Sequence, residues 1–198
     1  MSTPTGHLPR LVQISDRARV PDDELIRRIE RGGPGLAVQL RDPALSAGEL
    51  LALGRRLRSA TRAVGARLWV NDRLDLAVLL DADGVHLGRA SVSVADARRA
   101  LGADRVVSRS AHSLDDVVRA AEAGADAVLL SPVFASPGKG APLALGAVAE
   151  ARHRLPSTTR LYALGGVDLT NAASCVAAGA TGVAAIRADL TSWLHASA

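Results

Sequence analysis

The chain has 198 residues, enough for one sizeable core and too few for two ordinary domains. Hydrophobic residues make up 48% and aromatic ones only 2%. That excludes a disordered chain and leaves almost no stacking platform for single-stranded nucleic acid. The net charge of +4 comes from arginines scattered along the sequence, so no basic block marks a nucleic-acid surface, while an anionic ligand suits it.

Residues 1–8 read as a flexible tail, and 9–198 as the folded unit. Short apolar runs then alternate with longer amphipathic stretches. Leu11–Ile14 leads to a helical pattern over 22–32, Leu36–Leu40 to one over 46–65, and Leu68–Val70 to one over 73–81. Gly84–Leu87, Arg105–Val107 and Ala127–Leu130 precede helical patterns at 92–102, 113–124 and 144–154. Arg160–Leu164 and Gly182–Ile186 precede the last two, at 169–179 and 189–196. Ser46 and Ser113 have the place of helix N-caps with an acid in the first turn. Gly102, Gly124 and Gly179 have the place of stops.

Eight strand–helix units in strict alternation imply parallel strands with right-handed crossovers. The expected fold is therefore α/β, a single-domain (β/α)8 TIM barrel with short loops. An open doubly wound sheet is the alternative; no Gly-x-Gly-x-x-Gly follows the first strand. No apolar run reaches the ~18 residues of a membrane span, and no signal-peptide pattern opens the chain. A cytoplasmic protein is expected, with no membrane or nucleic-acid partner and with homo-oligomer formation left open. Cys175, the single cysteine, lies in a helical pattern and reads as a buried, inert thiol.

In such a barrel function collects where strands end. Gln39 and Arg41 follow the second strand; Asn71, Asp72 and Arg73 follow the third. His86 lies in the fourth and reads as a hydrogen-bonded interior histidine, with Arg89 beyond it. Ser108, Arg109, Ser110 and His112 are expected after the fifth strand. His112 suits proton transfer near neutral pH. Lys139, the only lysine, stands in a Gly/Pro-rich loop after the sixth strand, where an ammonium can meet a phosphate or carboxylate. Gly165 and Gly166 after the seventh strand, with Ile186 at the end of the eighth and Arg187 after it, suit a phosphate held by backbone N–H groups.

These segments resemble the superfamily of thiamine phosphate synthases and the related TenI-like thiazole tautomerases. The motifs are Val38–Arg41, Val70–Arg73, Ala82–Gly88, Ser110–Asp115, Pro132–Phe134 with Lys139, Ala163–Gly166 and Ala178–Ala184. The resemblance implies a barrel that binds a thiazole phosphate at its C-terminal face. A synthase joins the thiazole to a pyrimidine pyrophosphate with Mg2+ and loses pyrophosphate. A tautomerase shifts a proton to aromatise a thiazole carboxylate phosphate without metal.

Departures bear on that choice. Synthases carry a lysine where Pro43 stands and a second metal-binding aspartate where Ser91 stands, which leaves Asp72 alone to hold Mg2+. The Ser108–Asp116 stretch is similar to the tautomerase pattern, with His112 as its proton-transfer residue. Arg187 replaces a small serine beside the phosphate. The first expectation is thus a thiazole tautomerase-like isomerase needing no cofactor: His112 catalyses, Gln39, Arg41, Asn71, Ser110 and Lys139 bind the substrate, and Gly165, Gly166, Ile186 and Arg187 hold the phosphate. The alternatives are a Mg2+-dependent thiamine phosphate synthase and a non-catalytic phosphate-binding protein.

Overall fold

The structure, a computed structural model, describes residues 8–196. Eight parallel strands close into a barrel in sequential order, each strand paired with its neighbours and β1 with β8. The strands are β1 Leu11–Ile14, β2 Leu36–Leu40, β3 Arg67–Asn71, β4 Gly84–Leu87, β5 Val106–Ala111, β6 Ala127–Leu130, β7 Arg160–Leu164 and β8 Gly182–Ala185. The helices are α1 Asp22–Gly32, α2 Ala47–Val64, α3 Leu74–Leu79, α4 Val94–Leu101, α5 Leu114–Glu122, α6 Ala144–Arg154, α7 Ala172–Ala177 and α8 Thr191–Ala196. A 3-10 turn, Gly33–Gly35, joins α1 to β2.

Local chemistry accounts for the boundaries. Ser46 accepts from the Glu49 amide while the Glu49 carboxylate accepts from the Ser46 amide, so α2 starts on a reciprocal cap. Ser93 and Ser113 cap α4 and α5 through the Asp96 and Asp116 amides. Gly102, Gly124 and Gly179 take positive φ at the turns leaving α4, α5 and α7.

Side chains on each strand alternate between two cores, because the strand period is two. One face packs between barrel and helices around Leu11, Val38, Leu68, Val85, Val107, Val128 and Leu161. The other fills the barrel with Val12, Ala37, Trp69, Val106, Ala127, Leu129, Tyr162 and Ala184. Trp69 and Tyr162 meet edge to face at 6.0 Å and 87°. Gly84 makes room for them, since a Cβ there would lie 3.2 Å from Trp69 and 2.6 Å from the Val106 carbonyl.

Three expectations need correction. Leu8, assigned to a tail, is buried in the barrel floor, and the neighbouring Pro9 carbonyl accepts from the Tyr162 hydroxyl at 2.6 Å. Residues 1–7 lie outside the described residues. Gln39, Asn71 and Ser108–Ser110 do not follow the second, third and fifth strands but form part of them. The apolar run ends at Val107, yet β4 and β6 continue alongside, pairing Leu87 with Arg109 and Ala111 with Leu130, so the ladder carries the polar residues with it. Ile186, placed in the last strand, lies just beyond β8. Cys175 is buried as expected, and burial pushes its thiol up to about 11.

Candidate active site

The topmost inward side chains of β1 to β7, with Ile186 just beyond β8, face a cleft of about 430 Å3 at the C-terminal end of the barrel. Ile14, Gln39, Asn71, His86, Ser110, Leu129, Leu164 and Ile186 form its floor. Arg41, Asp72, Arg89, His112, Ser131, Ser136, Lys139 and Gly165 rise around it. The cleft thus gathers every expected substrate-binding residue, together with His112.

The β7–β8 side opens into a smaller recess of about 240 Å3, lined by Ser136, Leu164–Asp168 and Ala184–Ala188. It brings together Gly165, Gly166, Ile186 and Arg187. Gly165 and Gly166 have φ of 93° and 65°. A Cβ on Gly165 would sit 2.8 Å from Pro132, and one on Gly166 2.6 Å from the Ala135 carbonyl. These glycines are therefore required by the β6–α6 loop, which packs on them through Val133 N–H to the Leu164 carbonyl and Phe134 N–H to the Gly165 carbonyl.

His86 is buried, and its tautomer follows from its partners. The Ser108 hydroxyl donates to the Val85 carbonyl at 3.1 Å and must therefore accept from His86 Nδ1–H at 3.0 Å. Nε2 keeps its lone pair. Burial pushes the imidazole down from 6.5 to about 4; Asp72 pulls the other way, and Arg41, Arg109 and His112 add to the fall. His112 is exposed, and its Nδ1–H donates to the Ser131 carbonyl at 2.7 Å, again leaving Nε2 as the basic nitrogen. Its backbone N–H donates to Asp116.

Asp72 has a φ of 59°. Its carboxylate accepts from the Gly88 amide at 3.0 Å, the Asn71 amide at 2.7 Å and the Ser91 hydroxyl. Among the described residues no guanidinium pairs with it: Arg73 turns to Asp75 instead and holds that carboxyl below its usual range. The carboxylate is fixed by these bonds and lines the cleft, a donor that fits one Mg2+ whose other ligands come from substrate oxygens and water. Among the described residues no group of three or more His, Cys, Asp or Glu could hold a metal unaided.

The cations at the C-terminal strand ends differ from many of those on the helices. Helix-side arginines such as Arg31, Arg56, Arg98 and Arg119 are paired with carboxylates. Arg41, Arg89, Arg109, Lys139 and Arg187, around the strand ends, form no ion pair among the described residues. Arg109 only donates to the Val92 carbonyl at 3.0 Å. Arg89 and Arg109 also border a side cleft of about 490 Å3 that joins the central one at Ser110 and His112. Among the described residues Ser110 Oγ and Gln39 Nε2 are buried without a partner, and both residues line the cleft, where they can bond a ligand atom.

Sequence reading left Arg89 and Arg109 without a role, because one unpaired arginine looks like any other. It also missed the apolar floor residues Ile14, Leu129 and Leu164, which period-two counting back from Gln39 and His86 could have found.

A family model described as thiamine monophosphate synthase matches residues 11–188. The chain is 38% identical over 168 residues to a thiamine-phosphate synthase of Roseiflexus sp. (strain RS-1), covering 83% of this chain and 70% of that one. It is 38% identical over 171 residues to the thiamine-phosphate synthase of Moorella thermoacetica, covering 85% and 80%. Among solved structures, thiamine phosphate pyrophosphorylase from Pyrococcus furiosus superposes with a TM-score of 0.81 at 29% identity, over 89% of this chain and 85% of that one.

Proposed function

From the premise that the chain belongs to the thiamine monophosphate synthase family, we propose that it is itself a thiamine-phosphate synthase, an assignment that reverses the order of the two readings expected from the sequence. The relatives bear the name of the transferase, not of the isomerase. The observation that carries the proposal is the distribution of unpaired cations. The recess at β7 and β8 offers one anion site, while Arg41, Arg89 and Lys139 border the central cleft and Arg109 borders the side cleft that joins it. A substrate pair with a phosphate at one end and a diphosphate at the other needs both.

In this reading the recess holds the thiazole phosphate with the amides around Gly165, Gly166 and Ile186. The pyrimidine lies over the apolar floor, where Gln39 Nε2, Asn71 and Ser110 Oγ orient it. The thiazole nitrogen bonds to the pyrimidine methylene carbon as the carbon–oxygen bond to diphosphate breaks, and the electron pair leaves with diphosphate. Arg41, Arg89, Arg109 and Lys139 stabilise the charge that grows there. Asp72 would hold Mg2+, which would supply further neutralisation of the diphosphate.

The test is Mg2+-dependent formation of thiamine phosphate and pyrophosphate by the purified chain. Arg89→Met with Arg109→Met is expected to raise KM for the pyrimidine diphosphate at least tenfold. No product with both substrates and Mg2+ present defeats the proposal.

His112 favours a second reading, a thiazole tautomerase, since the Ser131 carbonyl fixes its Nε2 as a base beside the cleft. That reading expects isomerisation of the thiazole carboxylate phosphate without metal, lost on His112→Gln. A His112→Gln variant that still forms thiamine phosphate at the original rate excludes a proton-transfer role in the synthase.

A further inference from the structure

We propose that Arg28 and Gln13, which bond the backbone of the β8 terminus from the α1 side, are positioning residues that shape the anion recess. The proposal rests on reading that recess as the phosphate site.

Gln13, fully buried on β1, donates from Nε2 to the carbonyls of Ala185 at 3.1 Å and Ile186 at 2.8 Å. Arg28, on α1 and 8% exposed, directs Nη1 to the carbonyls of Arg187 at 3.1 Å and Ala188 at 3.2 Å. The same nitrogen reaches Gln13 Oε1 at 3.3 Å, and Nε meets Glu24 at 3.2 Å. Two side chains, joined to each other, thus collect the carbonyls of four successive residues.

An extended strand would not present them this way, because its carbonyls alternate in direction. In a planar trans peptide the carbonyl and the following N–H point in opposite directions. Drawing the carbonyls of Ala185, Ile186 and Arg187 toward α1 therefore turns the amides of Ile186, Arg187 and Ala188 the other way. Those three residues line the recess. Successive amides turned to one side make a concavity that takes an anion. Glu24 holds the guanidinium on its other edge, and the Arg31–Asp189 pair at 2.6 Å ties the end of the segment to the same helix. Neither Arg28 nor Gln13 lines the recess, so both act through the backbone.

The chain is titrated with thiazole phosphate alone, which reads affinity without turnover, and separately with inorganic pyrophosphate. Arg28→Met is expected to weaken thiazole phosphate at least tenfold and pyrophosphate less than twofold. Arg28→Lys, which keeps a donor and the charge, is expected to recover most of the loss. Equal weakening of both ligands, or unchanged thiazole phosphate affinity in a folded Arg28→Met protein, overturns the proposal. If Arg28→Met does not fold, Glu24→Gln is the variant, with a loss of about threefold confined to thiazole phosphate; no loss there overturns it as well. A wild type that binds thiazole phosphate but makes no thiamine phosphate refutes the synthase reading alone.

Discussion

His86 is buried in the folded barrel and donates its Nδ1–H to Ser108, so burial holds it neutral. The unfolded chain takes up the proton near pH 6.5, while the folded chain resists until about pH 4. Below pH 6.5 the unfolded state therefore binds more protons, and stability falls as pH falls. The drop from 6.5 to about 4 corresponds to about 3 kcal/mol, fully present above pH 6.5 and gone below pH 4. Denaturant midpoints measured from pH 7 to 4 should fall more steeply for the wild type than for His86→Gln; parallel curves would contradict this account. Position in the chain was enough to place His86 inside the barrel. Its tautomer was not legible, because that depends on which acceptor Ser108 already uses.

Helix starts and strand centres were legible because short-range chemistry sets them: Ser46 and Ser113 do cap the helices they precede. Strand ends were less so, since β5 runs through Ser108–Ser110 on the strength of its neighbours. The β7–α7 turn shows the same limit. Its two glycines were read as yielding room to an anion, yet the β6–α6 loop presses on both from behind. Gly166→Ala would force a side chain into a left-handed backbone, costing roughly 1–2 kcal/mol, and would push back the Ala135 carbonyl. Expected outcomes are a lower melting temperature and weaker thiazole phosphate binding together, measured by thermal denaturation and titration. A variant as stable as the wild type would show that the loop gives way freely.

Across the whole molecule, eight alternations were enough to specify the closed barrel, because parallel strands joined by right-handed crossovers leave few other arrangements. The electrostatic layout was not legible. Arginines are spread evenly along the chain, and only folding gathers Arg41, Arg89, Arg109 and Arg187 around the strand ends, where among the described residues they form no ion pair. A polyanion should relieve repulsion among those unpaired groups and bind the native state alone. Inorganic pyrophosphate at a hundred times its Kd is expected to stabilise the protein by about 2.7 kcal/mol. The gain should shrink in Arg89→Met and as salt is raised; a gain insensitive to both would place the anion elsewhere.

The stacked pair in the barrel interior gives the protein an optical handle of its own. Trp69 lies one inward position below Asn71 on β3, enclosed and edge-on to Tyr162, while Trp193, the other tryptophan, sits on α8 with Arg10 over its ring. The two indoles occupy different surroundings, so their emission bands should differ in colour. Occupancy of the cleft should perturb the component from Trp69 and leave Trp193 as an internal reference. Substrate arrival could then be followed in real time on the unlabelled chain.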